Sequence, residues 1–189
     1  MQRNNVLVIG YGSIGRRHCS VLEKLIGKKN IYVFTKQKKC KFKKILNFDR
    51  LKSINPYFVI IASRTYLHFP LLKKIEKNLK NSAILVEKPL FDKTKNIVIK
   101  NNKVFVAYNL RFHPILIFLK KYLKNKKIFS VNVKSSSYLP YWRKNIEYFK
   151  SNSAKKKYGG GTTLELSHEF DYFQWIFGKI KKVEFVKIK

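Results

Sequence analysis

The sequence predicts an α/β domain built on a doubly wound parallel sheet, and three observations predict it. Short apolar runs recur through the first half of the chain, at Val6-Leu7-Val8-Ile9, Ile31-Tyr32-Val33-Phe34, Tyr57 to Ala62, Ala83-Ile84-Leu85-Val86 and Val104-Phe105-Val106-Ala107. Helix-like segments alternate with them, the arrangement of parallel strands covered on both faces. The first run leads directly into Gly10-Tyr11-Gly12-Ser13-Ile14-Gly15, a turn of the G-x-G-x-x-G kind.

Val6 to Ile9 reads as the first strand. Gly10 lets the chain turn sharply out of it, Gly12 lets backbone approach a pyrophosphate, and Gly15 lets the next helix pack close to the strand. The amides around Ser13 and Ile14 then face the phosphates at a helix N-terminus. The hexapeptide alone is weak, because such a match also arises by chance. Ser13 to Leu25 reads as a helix with Ile14, Val21, Leu22 and Leu25 on one side, closed by Gly27. Ile31 to Phe34 is a second strand and Tyr57 to Ala62 a third. Phe69 to Leu79 is helical, and Ala83 to Val86 and Val104 to Ala107 are further strands.

Past Tyr108 the texture changes. Pro114 to Leu123 reads as a helix, Phe129 to Lys134 alternates like an antiparallel strand, and a loop rich in Tyr, Ser and Lys follows. Leu164 to Phe177 reads as one helix closed by Gly178, with Tyr172, Trp175 and Phe177 in its core. Val183 to Lys189 alternates like a strand. Residues 1–108 are thus expected to form one domain and 109–189 part of a second, α+β unit.

Three segments carry chemistry. Ser63-Arg64-Thr65-Tyr66-Leu67-His68 follows a strand, at the sheet edge where ligands lie in open α/β folds. Ser63 and Thr65 fit cofactor contact and also fit capping of the next helix. Glu87-Lys88-Pro89 follows another strand and places a cation at the same edge, where an ammonium favours a developing alkoxide. The proline restricts Lys88 to an extended backbone. Glu165 and His168 are three apart, so on a continuous helix they share a face. His168 is a candidate general base, or a histidine satisfied by Glu165 or Asp171.

Lys and Arg number 42 against 10 Asp and Glu, a formal net charge of +32. A field of that size attracts polyanions, which keeps a nucleic-acid binder among the alternatives. The lysines are nevertheless spread along the chain together with abundant Asn, Ile, Phe and Tyr, the residue set of A+T-rich codons. The patches Lys36 to Lys44 and Lys120 to Lys127 fit solvated faces. No apolar run approaches the ~18 residues of a membrane span, and the N-terminus does not read as a signal peptide. Cys19 and Cys40 are too few for a disulfide framework or a zinc site. The expectation is a cytoplasmic protein with no metal and no membrane association.

Taken in order, the glycine turn, Thr65 to His68, Glu87-Lys88-Pro89, Tyr108 to Pro114, Leu139-Pro140-Tyr141-Trp142-Arg143 and Gly159 to Asp171 resemble the Gfo/Idh/MocA family of oxidoreductases, and in particular its branch associated with bacterial surface-sugar biosynthesis. The resemblance implies an N-terminal Rossmann domain, an α+β C-terminal domain that often mediates oligomerisation, and hydride exchange between a nicotinamide cofactor and a sugar or nucleotide-sugar hydroxyl. It implies catalytic roles for Lys88 and His168. Cofactor contacts fall to Gly10, Gly12, Ser13, Ile14, Gly15, Thr35, Lys36, Ser63, Thr65, His68 and Glu87, and substrate contacts to Tyr108, Arg111, Trp142 and Glu165.

Several positions depart from the family. Glu165 precedes His168 by three where many relatives have an aspartate four before, Tyr141 stands where an aspartate is expected, and Arg64 stands where a proline is common. The chain is also shorter than such two-domain proteins, so it reads as truncated at the C-terminus, completed by a homo-oligomer or a partner chain. A catalytically inactive remnant or nucleotide sensor is therefore the first alternative, and the nucleic-acid binder the second. No acid occurs between Glu23 and Asp49, where an NAD site places one at the end of the second strand. The leaning is thus to NADP over NAD, with Thr35 and Lys36 near the 2′-phosphate.

Overall fold

Strands β1 (Val6–Ile9), β2 (Ile31–Phe34), β3 (Lys43–Ile45), β4 (Phe58–Ile61), β5 (Ala83–Val86) and β6 (Lys103–Val106) form one parallel sheet of order β3-β2-β1-β4-β5-β6. This was obtained as a computed structural model that describes residues 4–136, 138–141, 147–151 and 153–184. β1 is central and fully buried because every residue in it is apolar: Leu7 and Ile9 join Val59, Ile61, Ile84 and Val86 in one core, while Val6 and Val8 join Ile31, Val33 and Ile60 in the other. Residues alternate between the two faces of a strand, so a continuous apolar run is what a sheet covered on both sides requires.

Helix α1 (Ser13–Ile26) covers one face and α2 (Leu51–Ile54) with α3 (His68–Asn78) the other. α1 buries Gly15, Cys19 and Leu22, so of the expected stripe only Leu22 is buried. Ile14, Val21 and Leu25 are exposed, because the small Gly15 sets which side of the helix can approach the sheet closely. Gly27, at φ +73°, ends α1 as expected, its N–H donating to the carbonyl of Glu23. β3 overlaps the end of the lysine-rich patch 36–44 and escaped the sequence pattern. It needs only Ile45 and the nearby Phe42 buried while its lysines stay out.

Beyond β6 come α4 (Pro114–Tyr122), α5 (Thr162–Glu165) and α6 (Ser167–Phe177). The expected helix over 164–177 is two helices, broken at Leu166, so Glu165 and His168 do not share one helical face. The expected strand at 129–134 is irregular chain, with Phe129 86% exposed and no neighbouring strand among the described residues to take its backbone hydrogen bonds. Val183 and Glu184 are not in a strand, and residues 185–189 lie outside the described residues. Tyr172, Trp175 and Phe177 are half-buried, a partial core against α4.

The carboxyl ends of the central strands are tied into one rim. The Gly10 N–H donates to the Phe34 carbonyl (3.0 Å), that of Ala62 to Ile9 (2.8 Å), that of Glu87 to Ile61 (2.9 Å) and that of Ala107 to Val86 (2.9 Å).

Candidate functional site

Along that rim runs an open cleft of about 750 Å³. Its floor is the glycine turn. Gly10 sits at φ +102° and a Cβ there would meet the Ala62 carbonyl, so β1 and β4 leave no room for any other residue. A Cβ on Gly15 would fall on the carbonyl oxygen of Gly10, which keeps the first turn of α1 against the strand exit. Gly12 has ordinary dihedrals, and a Cβ there would meet nothing within 4 Å. It lines the cleft with Gly10, Ser13 and Ile14. This is a cradle that a side chain would fill and a pyrophosphate fits.

The β4 and β5 exits build the rest. Ser63, Arg64 and Thr65 line the cleft after β4, and Glu87 and Lys88 after β5. β1 and β5 flank β4, so the glycine turn and Lys88 stand about two strand spacings apart, roughly 10 Å. Ser63 and Thr65 make no capping bond: the single 3₁₀ turn Thr65–Leu67 runs straight into α3. Capping therefore does not explain either residue.

Glu87 accepts at 2.6 Å from His18, a partner that sequence reasoning missed. The available signal was spacing, since His18 lies three residues after Gly15 on the sheet-facing side of α1. The Lys88 ammonium donates to the backbone carbonyl of Glu165 at 2.8 Å and stands 3.7 Å from its carboxylate. The α5 loop thus supplies the far wall beside the cation.

His168 is not in the wall itself. It is half-buried, with the Tyr108 ring edge-on at 5.6 Å, and its Nδ1 is buried with no hydrogen-bond partner among the described residues. Burial first, and then the charge of Lys88, hold the imidazole below its ordinary range. Neither Glu165 nor Asp171 satisfies it. Asp171 instead takes a two-pronged bond from Arg111 at 2.8 and 2.5 Å, so this guanidinium ties α6 to the turn Asn109–Phe112. Burial likewise pushes the Tyr108 phenol up.

Three expected cofactor contacts fall elsewhere. The His68 side chain is 1% exposed, with Nδ1 against the carbonyls of Pro89 and Leu90 and Nε2 against that of Ser63. It braces the β4 and β5 loops from beneath, and no face of the ring reaches the cleft. Thr35 is buried with its hydroxyl accepting from the Gln37 N–H, and neither it nor the exposed Lys36 lines the cleft. Gln37 does, held by Arg16 at 2.8 Å and by its own bond to the Tyr11 carbonyl at 2.9 Å. Trp142 lies outside the described residues. Ser153, Tyr158 and Gly159, also in the wall, had no local sequence signal, because an irregular loop brings them there.

The family model for Gfo/Idh/MocA, described as an oxidoreductase family with an NAD-binding Rossmann fold, matches residues 4–105. Two structures of the Thermus thermophilus WlbA (WbpB) dehydrogenase are similar. One, in complex with NAD and alpha-ketoglutarate, has 20% identity and a TM-score of 0.69 over 95% of this chain and 64% of that one. The other, with NAD and UDP-GlcNAcA, has 21% identity and a TM-score of 0.70 over 95% and 65%. The Bordetella pertussis WlbA dehydrogenase, with NADH and UDP-GlcNAcA, shows 13% identity and a TM-score of 0.68 over 94% and 59%. The chain thus spans less than two thirds of the length of these structures. No curated protein matches it.

Proposed function

The chain belongs to the Gfo/Idh/MocA family of oxidoreductases with an NAD-binding Rossmann fold, and from that premise we propose that it exchanges hydride between a nicotinamide cofactor and a hydroxyl-bearing carbon of a sugar or nucleotide-linked sugar. The observation that carries this reading is the convergence of Lys88, Glu87 and Glu165 on the cleft whose floor is the glycine turn.

A bound nicotinamide supplies the hydride acceptor or donor. The turn Gly10 to Ile14 holds the pyrophosphate through backbone amides. Lys88 donates to the substrate oxygen and stabilises it as it becomes an alkoxide. His168 stands behind the cleft lining, so its role in taking or returning the hydroxyl proton rests on the family resemblance, and burial with the Lys88 charge keeps it neutral for that role. Tyr108 holds the imidazole ring in place. The end of β2 carries Thr35, Lys36, Gln37 and Lys38 and no carboxylate, with Arg17 in the cleft wall, which supports NADP over NAD.

Residues 1–108 hold the cofactor and 109–189 supply the substrate side. The UDP-GlcNAcA bound by the WlbA dehydrogenases supports a nucleotide-sugar substrate. The exposed Ile115, Phe118 and Tyr122 of α4 support a second copy or a completing chain seated there. No helix among the described residues is long and apolar enough to cross a membrane, and a cytoplasmic location belongs to the same proposal.

The test is titration with NADPH and NADH, followed by cofactor fluorescence and melting temperature, and then turnover on nucleotide-sugars. Lys88→Ala should keep cofactor affinity and lower turnover at least ~100-fold, the scale of losing one preorganised donor. Near-normal turnover would overturn the assignment. Cofactor binding without turnover on any sugar would favour a nucleotide-binding remnant, for which the engagement of Lys88 by Glu165 is the supporting observation.

A further inference from the structure

The mouth of the cleft carries a second concentration of charge that the hydride-transfer reading does not use. Tyr158, half-buried in the wall, has three cations within 6 Å of its ring centre: Arg64 at 4.7 Å, Lys157 at 5.2 Å and Lys155 at 5.9 Å. They come from two distant segments. Arg64 leaves β4 on the sheet side, and both lysines sit on the loop before Gly159.

That meeting is built by close packing. A Cβ on Gly159 would stand 2.7 Å from the Thr65 side chain, so only a glycine lets this loop lie on the β4 exit. The Tyr66 and Tyr158 rings also face each other at 6.0 Å. Among the described residues, no carboxylate forms an ion pair with Arg64, Lys155 or Lys157, although seven other ion pairs form along the chain. An electron-rich ring gathers three cations, and among the described residues no carboxylate neutralises them. Gathered like charges of this kind favour a multiply charged oxyanion, and a guanidinium at the mouth offers it a two-pronged bond.

We propose that Arg64, Lys155 and Lys157, assembled on Tyr158, form a subsite for a phosphate or diphosphate group entering the cleft. The group comes from the substrate, which is then a diphosphate-linked sugar and not a free one, because the glycine turn already takes the pyrophosphate of the cofactor. This rests on the reading of the cleft as the cofactor and substrate site.

The experiment is calorimetric titration of the full chain with UDP and, separately, with NADH, at about 150 mM salt to suppress diffuse attraction. Arg64→Ala and the double variant Lys155→Ala/Lys157→Ala are compared with Lys28→Ala/Lys29→Ala, which removes the same charge as the double variant at the amino end of β2, away from the strand ends that bound the cleft. The cleft variants should weaken UDP at least about tenfold with NADH affinity and melting temperature unchanged, and the control should change neither ligand.

Loss of UDP affinity alone assigns the subsite to the substrate, and loss of NADH affinity alone would overturn the proposal. Equal affinities in wild type and cleft variants, absence of UDP binding with NADH binding unaffected by the cleft variants, or equal losses in the control would overturn the proposal. Failure of the wild-type chain to bind NADPH and NADH alike would instead count against the oxidoreductase reading, while the UDP arm still decides the subsite.

Discussion

Substituting the two glycines that face opposite ways at the start of α1 separates packing from ligand binding. In Gly15→Ala the new methyl carbon falls on the Gly10 carbonyl, with the carbonyl carbon 2.9 Å away where ordinary contact begins near 3.4 Å. Both neighbours are backbone and cannot swing aside, so α1 must back away from the strand exit by on the order of 1 Å. Overpacking against two rigid backbone atoms costs about 2–3 kcal/mol, the upper part of the usual range, offset by about 1 kcal/mol from the better helix propensity of alanine. The expected net loss is ~1–2 kcal/mol, a fall in melting temperature of roughly 2–8 °C.

The same displacement carries the amides of Ser13 and Ile14 off the phosphate, and a misplacement of about 1 Å costs on the order of 100-fold. Gly12→Ala is the counterpart. Its backbone suits alanine and its methyl meets no protein atom, so stability should change by no more than a few tenths of a kcal/mol. The methyl would occupy the cradle, and cofactor affinity should fall at least about tenfold. Urea unfolding and NADH titration of both variants read the two effects. Gly12→Ala with wild-type affinity, or Gly15→Ala with wild-type stability, would refute the reasoning.

Three further outcomes follow from single groups. Burial pushes the Glu76 carboxyl up, but hydrogen bonds from the Asn102 amide and the Asn101 and Lys100 N–H groups, at 2.7, 2.6 and 2.7 Å, outweigh it and leave the group below its usual range. A folded-state pKa below the unfolded one means stabilisation that is complete above the unfolded value and lost as pH falls through the folded value. Glu76→Gln should thus cost ~1–3 kcal/mol at neutral pH and nearly nothing in acid, as read by urea midpoints across pH. For His168, held low by burial and then by Lys88, Lys88→Met should raise the imidazole pKa in an NMR titration, and no movement would remove Lys88 from its surroundings. Cys19 is buried and its thiol is pushed up to about 12, chiefly by burial. A thiol reagent at pH 8 should modify only the half-buried Cys40 until the chain unfolds.

How far the sequence spoke for itself depended on the range of the contact. β1, β2, β4 and β5 were legible because a strand buried on both faces must be apolar throughout, and the glycine turn because its demands on backbone are local. The helix stripe of α1 was misread since Gly15, with no side chain, decides the buried face and carries no hydrophobic signal. β3 was missed because an edge strand can be mostly lysine. Leu166 breaks a run whose composition is helical throughout.

Local sequence sufficed for strands β1, β2, β4, β5 and β6, for the glycine cradle and for the positions of Glu87 and Lys88 at the end of β5, since each follows from neighbours a few residues away. Only the tertiary structure decided that Lys88 meets Glu165 across 77 residues, that Arg111 is engaged by Asp171 across 60, that His68 braces loops from beneath, and that Tyr158 gathers Arg64 with two lysines. Those pairings come from irregular chain folded back on the rim, where side-chain shape and close backbone approach choose the partner and no periodicity records the choice.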